Sequence, residues 1–139
     1  MQINVMLDEG AKMPTKAHKT DAVFDLYTPN RVVIHKNDSV CIDTGVHIEI
    51  PEGFVGMIKS KSGLNMCNSI TSEGVIDSGY TGSIVVKVYN HSEKPVIFEI
   101  GQKFTQIVFI PIPDVELLKT GNMGLTERGA NGFGSTGKF

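Results

Sequence analysis

Short apolar runs separated by turn residues constrain this chain more than any other feature of its sequence. Ile3, Val5 and Leu7 alternate with polar neighbours, as residues of a half-buried strand do. No long segment keeps a helical period, although residues 62–68 suit a short turn of helix. The pattern predicts an all-β domain built as a sandwich, jelly roll or barrel. Further β-rich runs lie at residues 31–34, 40–50, 54–60, 83–90, 96–100 and 104–111.

The last twenty residues depart from this pattern. They contain six glycines, and the alternation of apolar residues stops. Such a segment buries too little surface to order itself, so we expect it to be mobile until a ligand binds. We therefore predict a core domain at residues 1–119 and a mobile C-terminal arm at 120–139. The arm combines cations, hydroxyls and a ring, which suits closure over a phosphorylated, ring-bearing ligand; a frayed tail or linker is the alternative. These residues are Arg128, Phe133, Ser135, Thr136 and Lys138.

Composition excludes some classes of partner. A net charge of −2 gives no field for wrapping nucleic acid or binding an anionic membrane, so an anionic ligand needs a local cluster of cations. No apolar run is long enough to span a bilayer, and residues 1–10 do not resemble a secretory signal. Cys41 and Cys67 lack zinc-site spacing and are expected to be buried apolar residues in a reducing compartment. These features predict a cytoplasmic protein.

The glycine-rich end resembles the sequence pattern of a phosphate-binding loop. Residues 132–138 read GFGSTGK, but that loop also needs a Ser or Thr after the Lys, a preceding strand and a following helix. Here Phe139 follows Lys138. The sequence therefore excludes a Walker-type nucleotide hydrolase.

The segment 74–82 is predicted to form a β-hairpin. Strand-forming residues precede a Ser-Gly turn, and residues 83–88 continue as the return strand. Asp77 lies where the first strand enters the turn. Taken alone, Asp77 is interpreted either as a turn carboxylate that binds nearby amides or as a catalytic group.

Five separated segments carry most of the polar and glycine residues discussed above. They are residues 22–27 (AVFDLY), 61–64 (KSGL), 74–82 (GVIDSGYTG), 101–106 (GQKFTQ) and 128–137 (RGANGFGSTG). In this order they resemble the five motifs of the trimeric dUTP pyrophosphatase (dUTPase) family. The resemblance covers nearly the whole chain, and its third and fifth motifs are the specific ones.

The resemblance implies both a fold and an activity. The fold is a jelly-roll-like (β-clip) subunit with a flexible Gly-rich C-terminal arm, in a homotrimer whose active sites lie between subunits. One chain gives the third motif, a neighbour gives the first, second and fourth, and a third chain lends its arm. The activity is hydrolysis of dUTP to dUMP and pyrophosphate, which limits uracil incorporation into DNA and supplies dUMP for thymidylate synthesis.

The third motif implies how the nucleoside is recognised. In the family, main-chain groups at the positions of Gly74, Val75 and Ile76 receive uracil, and a narrow hairpin excludes the thymine methyl. Tyr80 matches the ring that lies against deoxyribose and leaves no room for a 2′-hydroxyl. Fixed donors and acceptors reject cytosine, because they would be left unpaired. Asp77 matches the carboxylate that deprotonates the water attacking the α-phosphorus.

The other motifs imply contacts to the triphosphate. Mg²⁺ is expected to be held mainly by the three phosphates and water. Asp25 matches a first-motif residue that steadies this cluster through water, and a salt bridge or a structural turn is the alternative. Phe133, followed by Gly134, matches the ring that closes over uracil. The residues matching phosphate-binding positions are Lys61, Ser62, Gly63, Gln106, Arg128 and Ser135.

The chain departs from the family pattern at several positions. Lys61 stands where the family usually has Arg, and Lys cannot make a planar bidentate contact. Val23 replaces a usual Gly, Gln102 and Lys103 replace a common Asp-Arg pair, and Asn131 replaces a frequent Gly.

Two alternative functions are compared with dUTP hydrolysis. A related dCTP deaminase shares the fold but uses a Glu-centred site, which this sequence does not show. A dUTP-responsive regulator that binds a protein partner is the other, and it is compatible with catalysis.

Overall fold

Short strands dominate the computed structural model, which describes residues 1–132. One helix, α1, interrupts them at Ser62–Asn68. The strands are β1 (Val5–Leu7), β2 (Phe24–Tyr27), β3 (Val32–Ile34), β4 (Ser39–Asp43), β5 (Val46–Ile48), β6 (Phe54–Ser60), β7 (Ile70–Ile76), β8 (Val85–Asn90), β9 (Val96–Phe98) and β10 (Lys103–Pro111). The predicted all-β domain and the short helix are both confirmed.

The strands form one large sheet and two small ones. The large sheet has the order β2-β10-β6-β7-β8-β4, and β1 pairs with β5 while β3 pairs with β9. Every pairing of these strands is antiparallel. Neighbours such as β10 and β6 are far apart in sequence, so the sheet depends on long-range pairing.

The core is apolar and draws on all three sheets. Alternation determines which side chains enter it: along β8, Val86, Val88 and Asn90 are buried, whereas Lys87 and Tyr89 are exposed. Buried polar side chains in the core are hydrogen-bonded. The Asn90 amide, for example, donates to the carbonyls of Ile34 and Lys94. The apolar core consists of Leu26, Ile34, Ile42, Val46, Ile48, Ile50, Ile58, Ile70, Ile84, Val86, Val88, Phe98, Phe104 and Ile107.

Three local predictions were wrong. Residues 40–50 are not one strand, because the chain turns between β4 and β5 at Gly45, which has a left-handed φ of 64°. Cys41 is exposed because it points outward on β4, next to the buried Ile42. Cys67 is also exposed, since α1 has no buried residue.

The chain leaves the sheets after β10. Every described residue from Pro111 onward is exposed, and this segment includes apolar side chains such as Val115, Leu117 and Leu118. In residues 1–132, no helix is both long and apolar enough to cross a bilayer.

Candidate active site

The segment 74–82 lies where two strands of the large sheet separate. β7 pairs with β8 over three residue pairs, from Ile70↔Asn90 to Ser72↔Val88. Beyond this point β7 continues to Ile76 and pairs with β6, while β8 pairs with β4 along its other edge, from Val85 to Tyr89. The predicted hairpin is present as the antiparallel strands β7 and β8, but its first strand starts earlier than expected, and the pairing ends at Ser72↔Val88, before the turn.

Hydrogen bonds of residues 83–84, the start of the return limb that leads into β8, hold this limb away from β7. The Ile84 amide donates to the Val46 carbonyl at 2.9 Å, and the Thr44 amide and hydroxyl both donate to the Ile84 carbonyl. All three residues are buried. Ser83 adds a short hydrogen bond from its hydroxyl to the Asp43 carboxylate. Because these bonds attach residues 83–84 to the β4–β5 corner, the return limb cannot close against β7.

The divergence opens a cavity of about 160 Å³, here called the hairpin cavity. The turn that closes its far end is fixed by a hydrogen bond from the Tyr80 amide to the Asp77 carbonyl and by the left-handed φ of 83° at Gly79. The Asp77 carboxylate lies at the exposed mouth. The cavity is lined by Val75, Ile76, Asp77, Tyr80 and Val85.

The Tyr80 ring is held across the turn. Its hydroxyl donates to the Ser83 carbonyl at 3.0 Å. The ring lies so close to Gly82 that a Cβ at this position would overlap the Tyr80 hydroxyl. Gly82 is thus required for close approach of the ring, a role that the motif pattern alone did not reveal.

A second group of residues, here called the lysine cluster, surrounds Asp25 on β2. Asp25 is 6% exposed, and its two carboxylate oxygens accept from Lys61 and Lys103, each at 2.7 Å. Burial by itself raises the pKa of this carboxyl, but the hydrogen bonds from Lys103 and Lys61 outweigh it and hold the pKa below its usual value. The salt-bridge alternative for Asp25 is therefore present in the structure. Lys12 completes the cluster, with its ammonium 4.1 Å from the centre of the Tyr27 ring.

Sequence reasoning did not identify Lys103 or Lys12 as members of this cluster. Lys103 was noted as a departure from the family pattern, and Lys12 lies outside the five motifs. The register of β10 places Lys103 opposite Tyr27. This pairing joins residues more than seventy positions apart, so no local sequence pattern predicts it.

Gln106 and the start of α1 lie beside the lysine cluster. Gln106 pairs in register with Asp25, and its side-chain amide donates to the Ser60 carbonyl at 3.2 Å. Ser62 and Gly63 are exposed in the first turn of α1, directly after Lys61. No side chain caps this end of the helix. Its first backbone N–H groups therefore suit hydrogen bonds to an anionic ligand.

The hairpin cavity and the lysine cluster lie at opposite ends of β6 and β7. Asp77 follows Ile76, which pairs with Gly56, whereas Lys61 follows Ser60 at the far end of β6. About six residues of extended chain separate the two levels, or roughly 20 Å at about 3.3 Å per residue. In the described part of the chain, no hydrogen bond or ion pair joins a side chain of one group to a side chain of the other.

The arm is described only in part. Arg128 is exposed, and its guanidinium donates to the Asn131 carbonyl at 3.0 Å. Phe133, Gly134 and Ser135 lie outside the described residues. Among residues 1–132, no three side chains of His, Cys, Asp or Glu come together as a group that could hold a metal ion.

Comparisons with known proteins agree with one another. A family model described as dUTPase matches residues 9–137. The deoxyuridine 5′-triphosphate nucleotidohydrolase of Clostridium tetani is 39% identical over 136 residues, which cover 96% of this chain and 94% of that protein. The protein of the same name from Yarrowia lipolytica is 38% identical and covers 94% of this chain and 85% of its own length.

Solved structures show the same fold. A mutant dUTPase of phage 80alpha superposes with a TM-score of 0.90 at 29% identity, covering 96% of this chain and 98% of its own. The Staphylococcus bacteriophage 80alpha dUTPase with dUpNHpp gives a TM-score of 0.88 at 29% identity, with 98% of each chain covered. A mutant dUTPase from phage phi11 of S. aureus, described with a structural Mg(II) ion, gives 0.83 at 27% identity and covers 88% of this chain and 99% of its own.

The ion pairs of Asp25 predict a pH-dependent stability. Because the folded-state pKa is lowered, their stabilisation is present above the ordinary pKa of 3.8 and is lost as the pH falls through the folded-state value. We expect Asp25→Asn to lower the free energy of unfolding by about 1.5–3 kcal/mol near neutral pH, with solvent screening at Lys103 favouring the lower end. Urea unfolding of both proteins at neutral and acidic pH measures the difference, which should shrink in acid.

The control for this prediction is Glu73→Gln. Glu73 forms an ion pair with Lys59 at 2.8 Å, but both side chains are well exposed. Such a pair contributes about 0–1 kcal/mol. A loss at Asp25 no larger than the loss at Glu73, or one that does not shrink in acid, would contradict the assignment.

Proposed function

The chain belongs to the dUTPase family and hydrolyses dUTP to dUMP and pyrophosphate (EC 3.6.1.23), and we propose that it does so in sites assembled from more than one copy of the chain. The observation that carries this proposal is the separation of the hairpin cavity from the lysine cluster. One chain holds a nucleoside-sized recess at one end of β6 and β7 and a group of cations at the other. A neighbouring copy that brings its lysine cluster to this recess supplies the cations that a triphosphate needs.

The hairpin cavity is proposed to receive uracil and deoxyribose. Past Ser72, the β8-facing backbone groups of β7 have separated from β8. N–H and C=O groups at Gly74, Val75 and Ile76 are therefore proposed to pair with the edge of uracil, as they do with a neighbouring strand elsewhere in the sheet. Tyr80, fixed across the turn by Ser83 and Gly82, closes the cavity where the sugar enters. This placement supports selection against a ribose 2′-hydroxyl.

Asp77 is proposed to be the general base. Its carboxylate lies at the exposed mouth of the cavity, next to the position proposed for the sugar. It accepts a proton from a water molecule as the water oxygen attacks the α-phosphorus. The bond from that phosphorus to the bridging oxygen breaks, and pyrophosphate leaves with the bonding electron pair. The reaction needs no covalent intermediate.

The lysine cluster and its neighbours are proposed to bind the triphosphate. Lys61, Ser62, Gly63 and Gln106 present cationic and hydrogen-bonding groups on one side of the cluster. Asp25 keeps Lys61 extended in the substrate-free chain. Positive charge near the phosphates stabilises the negative charge that builds on them in the transition state.

The arm is proposed to complete the site. Residues 120–139 form the proposed arm on a core of residues 1–119. By the family resemblance, Arg128 and Ser135 contact the terminal phosphates, and Phe133 with Gly134 covers the base. The exposed thiols Cys41 and Cys67 fit the proposed cytoplasmic location, because free exposed thiols persist in reducing compartments.

Mg²⁺ is proposed to enter with the triphosphate. The described residues offer no cluster of protein ligands, and both oxygens of Asp25 face lysine ammonium groups, so a cage built from this part of the chain does not fit the ion. Phosphate oxygens and water are the usual partners of Mg²⁺ in such sites. When bound, the ion would neutralise charge on the phosphates.

Removing the carboxylate of Asp77 tests the chemical step. We expect Asp77→Asn to lower kcat by a factor of about 10² to 10⁴ while dUTP binding persists, because a positioned base contributes this much. Pyrophosphate release and calorimetric binding of dUTP measure the two effects. Asp38→Asn is the control, since Asp38 is an exposed turn carboxylate that binds the Ser39 amide. Turnover that survives in Asp77→Asn would refute the proposed base.

Removing the Tyr80 ring tests sugar selection. We expect the preference of kcat/KM for dUTP over UTP to fall by about tenfold or more in Tyr80→Ala, because the ring no longer fills the space of a 2′-hydroxyl. Tyr89→Ala is the control, because Tyr89 is 40% exposed compared with 46% for Tyr80 and lies on β8 away from the cavity. An unchanged preference in Tyr80→Ala would exclude the proposed contact.

Assembly is tested by light scattering of the full chain. We expect a mass near three times the 15.1 kDa of one chain, because the family resemblance implies a homotrimer. Exposed apolar side chains such as Val115, Leu117 and Leu118 would gain from burial against a neighbour. Deleting residues 126–139 should leave this mass unchanged and abolish most turnover. A fully active monomer would contradict the shared site.

A further inference from the structure

His47 on β5 bridges the turn of the hairpin cavity and the segment after β1. Its Nδ1 lies 2.8 Å from the Thr81 carbonyl oxygen, and its Nε2 lies 3.3 Å from a carboxylate oxygen of Asp8. The imidazole is 18% exposed. None of the five motifs includes His47 or Asp8.

Both partners of the His47 ring are hydrogen-bond acceptors, and this favours the positively charged form of the ring. A backbone carbonyl carries no proton, and an ionised carboxylate only accepts. A neutral imidazole has one N–H and can donate to one of them, whereas an imidazolium donates to both. The position of the ring between the Thr81 carbonyl and Asp8 therefore favours the charged form. Loss of the proton leaves one nitrogen lone pair facing an oxygen, which weakens the hold of the ring on its two acceptors.

The surroundings of the ring favour the charge. The hydrogen bond to the Thr81 carbonyl is the main cause that raises the pKa of His47 above its usual 6.5; burial opposes it, and Asp8 and then Asp43 add to it. Glu49, two residues further along the chain, Glu52 after β5 and Tyr80 on the turn are the other titratable groups that line the adjoining grooves. The carboxylates among these neighbours carry the sign that stabilises an imidazolium.

Thr81 follows Tyr80 in the part of the turn that lies furthest from the buried anchors. On one side Ile76 is paired with β6, and on the other Ile84 is bonded to Val46. Between these points the Tyr80 hydrogen bonds to Asp77 and Ser83 lie within the turn, whereas Ser83, through Asp43, and Thr81, through His47, are bonded to residues outside it. His47 thus attaches the tip of the turn to β5.

We propose that His47 is a positioning residue for substrate binding, whose imidazolium holds the Thr81 carbonyl and thereby fixes the Tyr80 ring at the deoxyribose. The inference rests on the proposed role of Tyr80. Because the pKa is raised in the folded chain, both bonds of the ring are fully present below pH 6.5, and the hold on the Thr81 carbonyl weakens as the pH rises through the folded-state pKa, since a single N–H then serves two acceptors. Release of the tip weakens dUTP binding and leaves the Asp77 chemistry largely unchanged, so KM changes more than kcat.

The test combines steady-state kinetics with a direct titration. KM and kcat for dUTP are measured from about pH 6 to about pH 9, and the pKa of the His47 ring is read from its NMR shifts in the assembled, substrate-free protein. We expect a ring pKa above 6.5 and a KM that rises about threefold to tenfold through that pKa, the range implied by one hydrogen bond.

Variants separate positioning from a general structural effect. His47→Gln should lose the inflection in KM, because its amide does not titrate, and His47→Lys should keep a low KM at high pH, because its ammonium stays charged. His91→Gln is the matched control: His91 is also hydrogen-bonded, to Thr71, and should retain the wild-type profile.

The outcomes also distinguish this inference from the proposed function. A ring pKa at or below 6.5, or the same KM inflection in His47→Gln as in the wild type, overturns the role of His47 and leaves the roles of Asp77 and Tyr80 standing. An unchanged preference for dUTP over UTP in Tyr80→Ala overturns the proposed function instead, whatever the pKa of His47.

Discussion

The separation of β7 from β8 is the constraint on which the site depends. Three residue pairs hold the strands together, and then β7 continues with β6 alone while β8 keeps β4 on its other edge. The separation is stable because the buried Ile84 is bonded to Thr44 and Val46, which compensates the hydrogen bonds lost from the β7–β8 ladder. Without these bonds, the unpaired backbone groups of Ile84 would favour pairing with β7, which would close the hairpin cavity. The same bonds that build the core therefore keep the hairpin cavity open.

The positive charges of the lysine cluster are the second feature of the proposed site. The chain has a net charge of −2, so attraction for a triphosphate must be local. The lysine cluster provides it at the other end of β6, where Asp25 keeps two ammonium groups close together by neutralising part of their repulsion. A carboxylate this buried is stable because both of its oxygens are paired. The distance between the recess and the cations is the observation that supports the proposed site shared between copies of the chain.

Local sequence patterns predicted much of the architecture. Residues 54–60 are a β-rich run and form β6, and residues 62–68 form the short helix α1. The errors share one cause. Cys41 and Cys67 are apolar by type, but alternation along β4 and the exposure of α1 decide their burial. Likewise, residues 74–88 contain good hairpin signals, and only the complete sheet decides that β7 pairs with β8 as far as Ser72 and with β6 beyond it. Local propensity does not include such competition.

The sequence by itself determined the strand-rich class, the family and the identity of the candidate groups, because residue type and short-range order carry that information. Tertiary structure decided which groups meet. Lys103 reaches Asp25 through the register of β10, and His47 reaches Thr81 through the placement of β5 beside the turn. These contacts join residues separated by more than thirty positions, and they depend on strand pairing across the whole domain. Pairing between distant strands is a property of the complete core, so no segment of the sequence encodes it alone.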